Sequence, residues 1–564
     1  MSTGSGRPAD GKGIVRSDTT LVVVGIDVGL RYNSLPNQAP SNRQTLFHVG
    51  PASSNGCGAA SMPFKGAKRM TRIAMVGTVS VLIGLVSAAH LWSQAPQNTE
   101  ASAALQKAAT VNRLAERGTR TPGPGTAPGF VVDPAWPKPL PHNWIIGDVG
   151  GLYVDRHDHI WVYHRPRALS STDAGALPAA GKDAKGNAIS AMGHSRPYGQ
   201  LSGCCMPAPS VLEFDKAGNL LQAWGGPADP GFLETKCRAQ DGCVWPAREH
   251  GIYIDHNDFV YVSGNGQAQN FHGQFPWAPS FGNDSHVLKF KMDGTFVYQI
   301  GKAGAKGPNS NDTNGGINGT PQPYLVADMV VDPKTNLLYI ADGYGNRRIL
   351  IVDAATGKYV GHFGAYGQNP VQGENSGGAE LGEDAGSWPG DYRKGQLKPK
   401  FFRSPLHCAK LSTDGYLYAC DRGNNRIQVF KTDAVGKPCA NPNGEKGKCG
   451  FVDEVYIAPQ TASGTSGTVN FSPDPKQSCM YVADLTNDTV YEINRANLHE
   501  LGRFGTGGRQ AGQFHWPHVV SVDSEGNAYT GEVDGAGRVQ KFLRYGAVGC
   551  SGEGIAEVGK YRSQ

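Results

Sequence analysis

Three histidines stand out by where they sit. His250, His407 and His518 each open an apolar strand, and each lies five residues before a turn-opening residue, Asp255, Ser412 and Asp523. The same count of five, taken back from Asp155, Asp255, Asp332, Ser412, Asp474 and Asp523, returns Gly150, His250, Ala327, His407, Val469 and His518. Imidazole therefore alternates with a small or apolar side chain. Three imidazoles converging on one point suit a divalent cation that keeps open coordination positions. Zinc is the leading candidate, although imidazole also suits iron, copper and nickel. Singly, each histidine reads as a hydrogen-bonded core residue; the shared register favours a ligand set.

A second group of residues falls at the ends of the strands that follow. These are His164-Arg165, Asp342-Gly343-Tyr344 and Asp421-Arg422. In an antiparallel hairpin, the end of the second strand lies beside the start of the first. Arg165, Arg422 and Tyr344 are therefore expected around the histidine ring. Guanidinium suits bidentate binding of a carboxylate or phosphate. A phenol beside a divalent cation can serve as a base. His157, His159 and His256 fall in turns and are expected in solvent.

The elements that must position these residues repeat six times. The copies are GGLYVDRHDHIWVYHR, HGIYIDHNDFVYVSGN, ADMVVDPKTNLLYIADGY, HCAKLSTDGYLYACDR, VNFSPDPKQSCMYVADL and HVVSVDSEGNAYTGEV. Each is an apolar strand, a turn, and a strand centred on Trp161, Tyr261, Tyr339, Tyr418, Tyr481 or Tyr529. Most continue into a third strand, and several into a fourth that ends in a Gly-flanked aromatic. Four short antiparallel strands per unit, six times over, predict an all-β, six-bladed β-propeller over 142–547. Each blade has two apolar faces that only its neighbours can cover. The inner strands line a channel, so alternate blades bring the three histidines to one axis.

Composition agrees. The 564 residues include 77 Gly and 37 Pro, against 18% charged residues, which argues for strands and turns over a helical bundle. With 53 basic and 48 acidic residues the net charge of +5 implies no nucleic-acid partner. Residues 1–61 read as a disordered or over-extended leader. Residues 62–95 read as a signal peptide: Lys65, Lys68, Arg69 and Arg72 precede an apolar run over 73–88 and small residues follow. An uncleaved signal anchor is the one membrane contact the sequence offers, and export to the periplasm or outside the cell is expected. Residues 96–141 read as a Pro-rich linker and 548–564 as a tail. Cys237/Cys243, Cys439/Cys449 and Cys408/Cys420 are placed to pair, although sequence does not fix connectivity. A monomer is expected.

At these residues the chain resembles the lyase domain of peptidylglycine α-amidating enzymes, a six-bladed propeller of NHL-like repeats that holds a catalytic zinc. The resemblance rests on Glu249-His250-Gly251, on DGYGNRRI with Tyr344, and on SPLHCAKLSTDGYLYACDRGNNRIQVFKTD with His407 and Arg422. Pro517-His518 and His164-Arg165 complete it, across 140–546. It implies that His250, His407 and His518 bind zinc, and that Tyr344 is the base on a substrate hydroxyl. It also implies that Arg165 and Arg422 hold a substrate carboxylate on a small molecule or peptide. The implied reaction cleaves a peptidyl-α-hydroxyglycine to an amide and glyoxylate. Three positions depart from the family. Val519 stands where it has a calcium-binding Asp, so calcium is not expected. Trp516 replaces a smaller Met, and Gly345 replaces a disulfide Cys. Residues 1–141 are too few for the copper monooxygenase domain that supplies the substrate elsewhere, so a stand-alone propeller is expected. Two alternatives stay open: a non-catalytic NHL module binding protein or glycan, and a metal-dependent hydrolase such as a lactonase.

Overall fold

Apolar residues at period two, punctuated by Asp and Gly turns, fold into six four-stranded antiparallel sheets. The computed structural model describes residues 124–559, except 170–178, 183–187, 191–194, 197–205, 227–235, 268–282, 306, 371–398, 436–449 and 462–463. The leader, the signal peptide and the Cys439/Cys449 pair lie outside the described residues. Blade one runs from the inner strand Asp148–Val154 through Ile160–Arg165 and Val211–Phe214 to Leu220–Trp224. The inner strands of blades two to six are Glu249–Ile254, Asp328–Asp332, Leu406–Leu411, Ser466–Phe471 and Pro517–Val522. Each inner strand packs on the next, and that of blade six packs on that of blade one, so the ring closes. Among the described residues no helix is long and apolar enough to cross a membrane.

The turn Asp and the strand aromatic work as a pair. Asp155, Asp255 and Asp523 each accept two turn N–H groups through Oδ1. Their Oδ2 atoms take the ring donors of Trp161 (2.9 Å), Tyr261 (3.2 Å) and Tyr529 (3.1 Å). All six aromatics are buried. These carboxylates are spent on the turns.

Two boundaries differ from the sequence reading. Thr126–Asp133, inside the segment read as a linker, is the outermost strand of blade six and pairs with Arg538–Ser551. Its proline content disguised it, yet an edge strand has one face without a ladder partner and tolerates proline there. The last strand runs on to Ser551, into the segment read as a tail, and Val558 bridges to Ile457. Cys237–Cys243 and Cys408–Cys420 are bonded as their placement suggested; a third bond, Cys479–Cys550, was not anticipated.

Candidate metal centre

The histidines reach the axis because of how their strands begin. In blades two, four and six the inner ladder slips, leaving His250, His407 and His518 outside the paired register. Such a bulge re-aims a side chain. The same slip in blades one and five leaves out Gly150 and Gly467. Blade five therefore corrects the sequence register. Its turn carries extra residues, and Ser472, whose N–H donates to the Cys479 carbonyl, opens the turn in place of Asp474. Counting back five gives Gly467, not Val469. Blade one has no room for a side chain there: a Cβ on Gly150 would lie 2.3 Å from the Glu249 carbonyl oxygen.

The three rings converge. Centroids lie 4.9 Å apart for His250 and His407 and 4.7 Å for the other two pairs. One nitrogen from each falls within 4.8 Å of the others. His250 Nδ1 donates to the Ala327 carbonyl at 2.7 Å and His407 Nδ1 to the Gly467 carbonyl at 2.6 Å. Those bonds fix the tautomer and leave Nε2 as the lone-pair nitrogen. His407 Nε2 and His518 Nδ1 are buried without a hydrogen-bond partner. Burial holds all three imidazoles neutral. It pushes His407 down to about 3, with Arg422 adding to the effect. His250 and His518 are also held well below the usual range, by burial first and by the neighbouring imidazoles next. Neutral rings with orphaned lone pairs fit a borderline-soft divalent cation.

Tyr344 and the two arginines surround this ring, as their strand ends predict. Tyr344 Oη lies 3.0 Å from His250 Nε2. Its loop is pinned by Asp342, whose carboxylate accepts from the Tyr324 N–H, Asn346 Nδ2 and Arg348 Nε. Gly343 passes so close to blade four that a Cβ would sit 1.7 Å from the Leu406 carbonyl oxygen. Arg422 follows Asp421, which is pinned in the same way by the Arg403 N–H, Asn424 and Arg426. Arg165 is buried; its Nε donates to the Glu249 carbonyl at 2.7 Å, and Nη1 stands 3.9 Å from Asp148. Burial, then Arg248, lowers its guanidinium to about 10.

Other histidines are structural. His164 is fully buried, with Nδ1 accepting from the Gly147 N–H (3.1 Å) and Nε2 donating to the Pro209 carbonyl (2.8 Å). His157 is exposed and paired with Asp258. His159 and His256 are half-buried and not free in solvent, as the turn reading had them. His159 Nδ1 sits 2.6 Å from Glu213, and with Asp155 the three could gather a cation. Asp155 already serves its turn and Trp161, so this trio is internally satisfied. Sequence reasoning missed Asp328 and Lys410, which lie beneath the three histidines; only their place on the inner strands marks them.

No protein-family model matches the chain. It is 27% identical over 217 residues to peptidyl-glycine alpha-amidating monooxygenase B of Xenopus laevis, covering 38% of this chain and 20% of that protein. The chain thus spans about a fifth of the length of this curated relative. Selenomethionine-substituted virginiamycin B lyase from Staphylococcus aureus aligns at a TM-score of 0.34 and 10% identity, over 71% of this chain and 84% of that one. A streptogramin B lyase aligns at 0.35 and 9% identity, over 76% and 99%. The chain is a six-bladed propeller resembling the amidating-lyase type.

Proposed function

We propose that this chain is an exported, zinc-dependent lyase. It cleaves the N–C bond of an α-hydroxyglycine-like substrate, giving an amide and glyoxylate. The observation that carries the reading is the histidine trio: three neutral rings from alternate blades, two of them with a buried ring nitrogen that has no hydrogen-bond partner, beside a tyrosine hydroxyl. His250, His407 and His518 would hold the cation. When bound, it supplies Lewis acidity to a hydroxyl placed beside it. The chain's own residues do the rest. Arg165 and Arg422 orient the substrate carboxylate from two sides. As the phenolate beside the bound cation, Tyr344 would accept at Oη the proton of the substrate hydroxyl as the C–O⁻ pair becomes the aldehyde carbonyl, and would then return it to the leaving nitrogen. The N–C pair leaves with nitrogen, which takes the proton, so atoms and charge balance. Three disulfides among the described residues support an oxidising compartment, and with it export.

Elemental analysis of the purified protein tests this. About one equivalent of zinc is expected, lost in His250→Ala, His407→Ala or His518→Ala. A peptide capped with α-hydroxyglycine should then release glyoxylate in a chelator-sensitive manner. No divalent metal in the unsubstituted protein would overturn the lyase and leave a binding module. Bound metal without glyoxylate, but with lactone or ester hydrolysis, would move the chemistry to a hydrolase.

A further inference from the structure

Beneath the histidine ring the channel narrows to a cavity of about 20 Å³, room for one water. His250, His407 and His518 line it together with Asp328 and Lys410. The two charged side chains are largely buried, at 11% exposure each. Lys410 Nζ grips both carboxylate oxygens, at 3.0 Å to Oδ1 and 2.8 Å to Oδ2. The pair joins neighbouring inner strands at sensitive points. Asp328 follows Ala327, whose carbonyl orients His250, and Lys410 lies three residues beyond His407. Lys410 also lines an open funnel of about 750 Å³ at the channel's other mouth, so the pair stands between that funnel and the histidines.

A buried ion pair is costly to desolvate and is poor evidence of stability for its own sake. Its position gives it another effect. A divalent cation on the three histidines would border the same small cavity as a carboxylate and an ammonium, and in a buried setting charges that near act strongly. We propose that Asp328 and Lys410 are positioning residues forming a balanced charge pair that sets how tightly the histidine trio holds its cation. Lys410 keeps the Asp328 carboxylate turned to itself and off the cation, so that coordination positions stay open for substrate. This rests on the trio being the metal site.

The experiment measures zinc affinity by chelator competition, and the cobalt-substituted absorption spectrum, in four whole-chain variants. Lys410→Met leaves the Asp328 carboxylate with the Ala409 N–H, 3.3 Å from Oδ2, and no cationic partner, and should tighten zinc by about tenfold or more. It should also shift the cobalt bands as a further oxygen ligand arrives. Asp328→Asn leaves a bare ammonium and should loosen zinc by about as much. Lys410→Met with Asp328→Asn should return to within about threefold of the parent, and Lys410→Arg should change little. A purely structural pair would make both single variants bind more weakly, and that outcome overturns the proposal. If Lys410→Met does not fold, Asp328→Asn and the neutral double variant decide it: the double variant must bind more tightly than the single. Absence of zinc from the parent protein would sink the metal reading itself, whereas parent binding with same-sign variants sinks only this one.

Discussion

At the residue scale the question is which groups touch the reacting atoms. Tyr344→Phe removes one oxygen and leaves the ring packed against His250, 5.1 Å between centroids. If Oη carries the proton, glyoxylate release should fall about 10²–10⁴-fold while zinc content is unchanged. An unaltered rate would remove Tyr344 from the chemistry. The convergence of the three histidines was legible in the sequence, because a trio spread over three blades leaves a trace that no single motif does: His250, His407 and His518 at one offset from their turns. The same count failed in blade five, where an insertion in the turn moved the register from Val469 to Gly467. It was silent on His159, because the Glu213 that pairs with it comes from a different strand of the blade. It was silent on Lys410 and Asp328 too, since a lone Lys or Asp in an apolar strand says nothing about facing its partner across a channel.

At the element scale, Tyr344 and Arg422 owe their placement to two loops of one design. A buried Asp ends the second strand, an Asn and an Arg return to it, and Tyr344 or Arg422 stands in between. Asp421 and Arg426 are both fully buried, with Nε 2.7 Å from the carboxylate. Arg426 keeps a second carboxylate, Glu454, 3.2 Å from Nη1, so removing the Asp421 charge breaks only half of its pairing, a loss of about 1–3 kcal/mol. Asp421→Asn should therefore lower stability by about that amount in denaturant melts. It should also raise KM more than it lowers kcat, as Arg422 loses its anchor while the histidines keep theirs. Equal stability with an unchanged KM would show that the loop holds itself. In the sequence, DRGNNR and DGYGNRR advertise these loops as strand ends. That the carboxylates are pinned inward, and are not themselves ligands, depends on burial that composition does not reveal.

At the scale of the whole molecule, the trio is only as well placed as the ring is closed. Closure depends on the segment that looked least like structure. Thr126–Asp133 completes blade six from the opposite end of the chain, and Phe130 packs within 4.4 Å of Phe504 and 5.6 Å of Tyr481, ring to ring. Blade five is stapled to that same sheet by Cys479–Cys550, across 71 residues. Without the strand, Arg538–Ser551 becomes an exposed edge, and blades five and six lose their shared outer cover. Those blades carry Gly467, which orients His407, and His518 itself. Phe130→Ala should cost about 3–5 kcal/mol, and deletion of residues up to 133 at least as much. Melts with and without a reductant separate the two devices: if strand and disulfide both close the ring, reduction should harm the deleted chain far more than the intact one. Zinc binding should weaken in parallel with the melting temperature, because His518 is delivered by the blade that opens. A deleted chain that melts like the parent and keeps its zinc would show that the ring is held by its inner strands alone, with the terminal strand a passive cover.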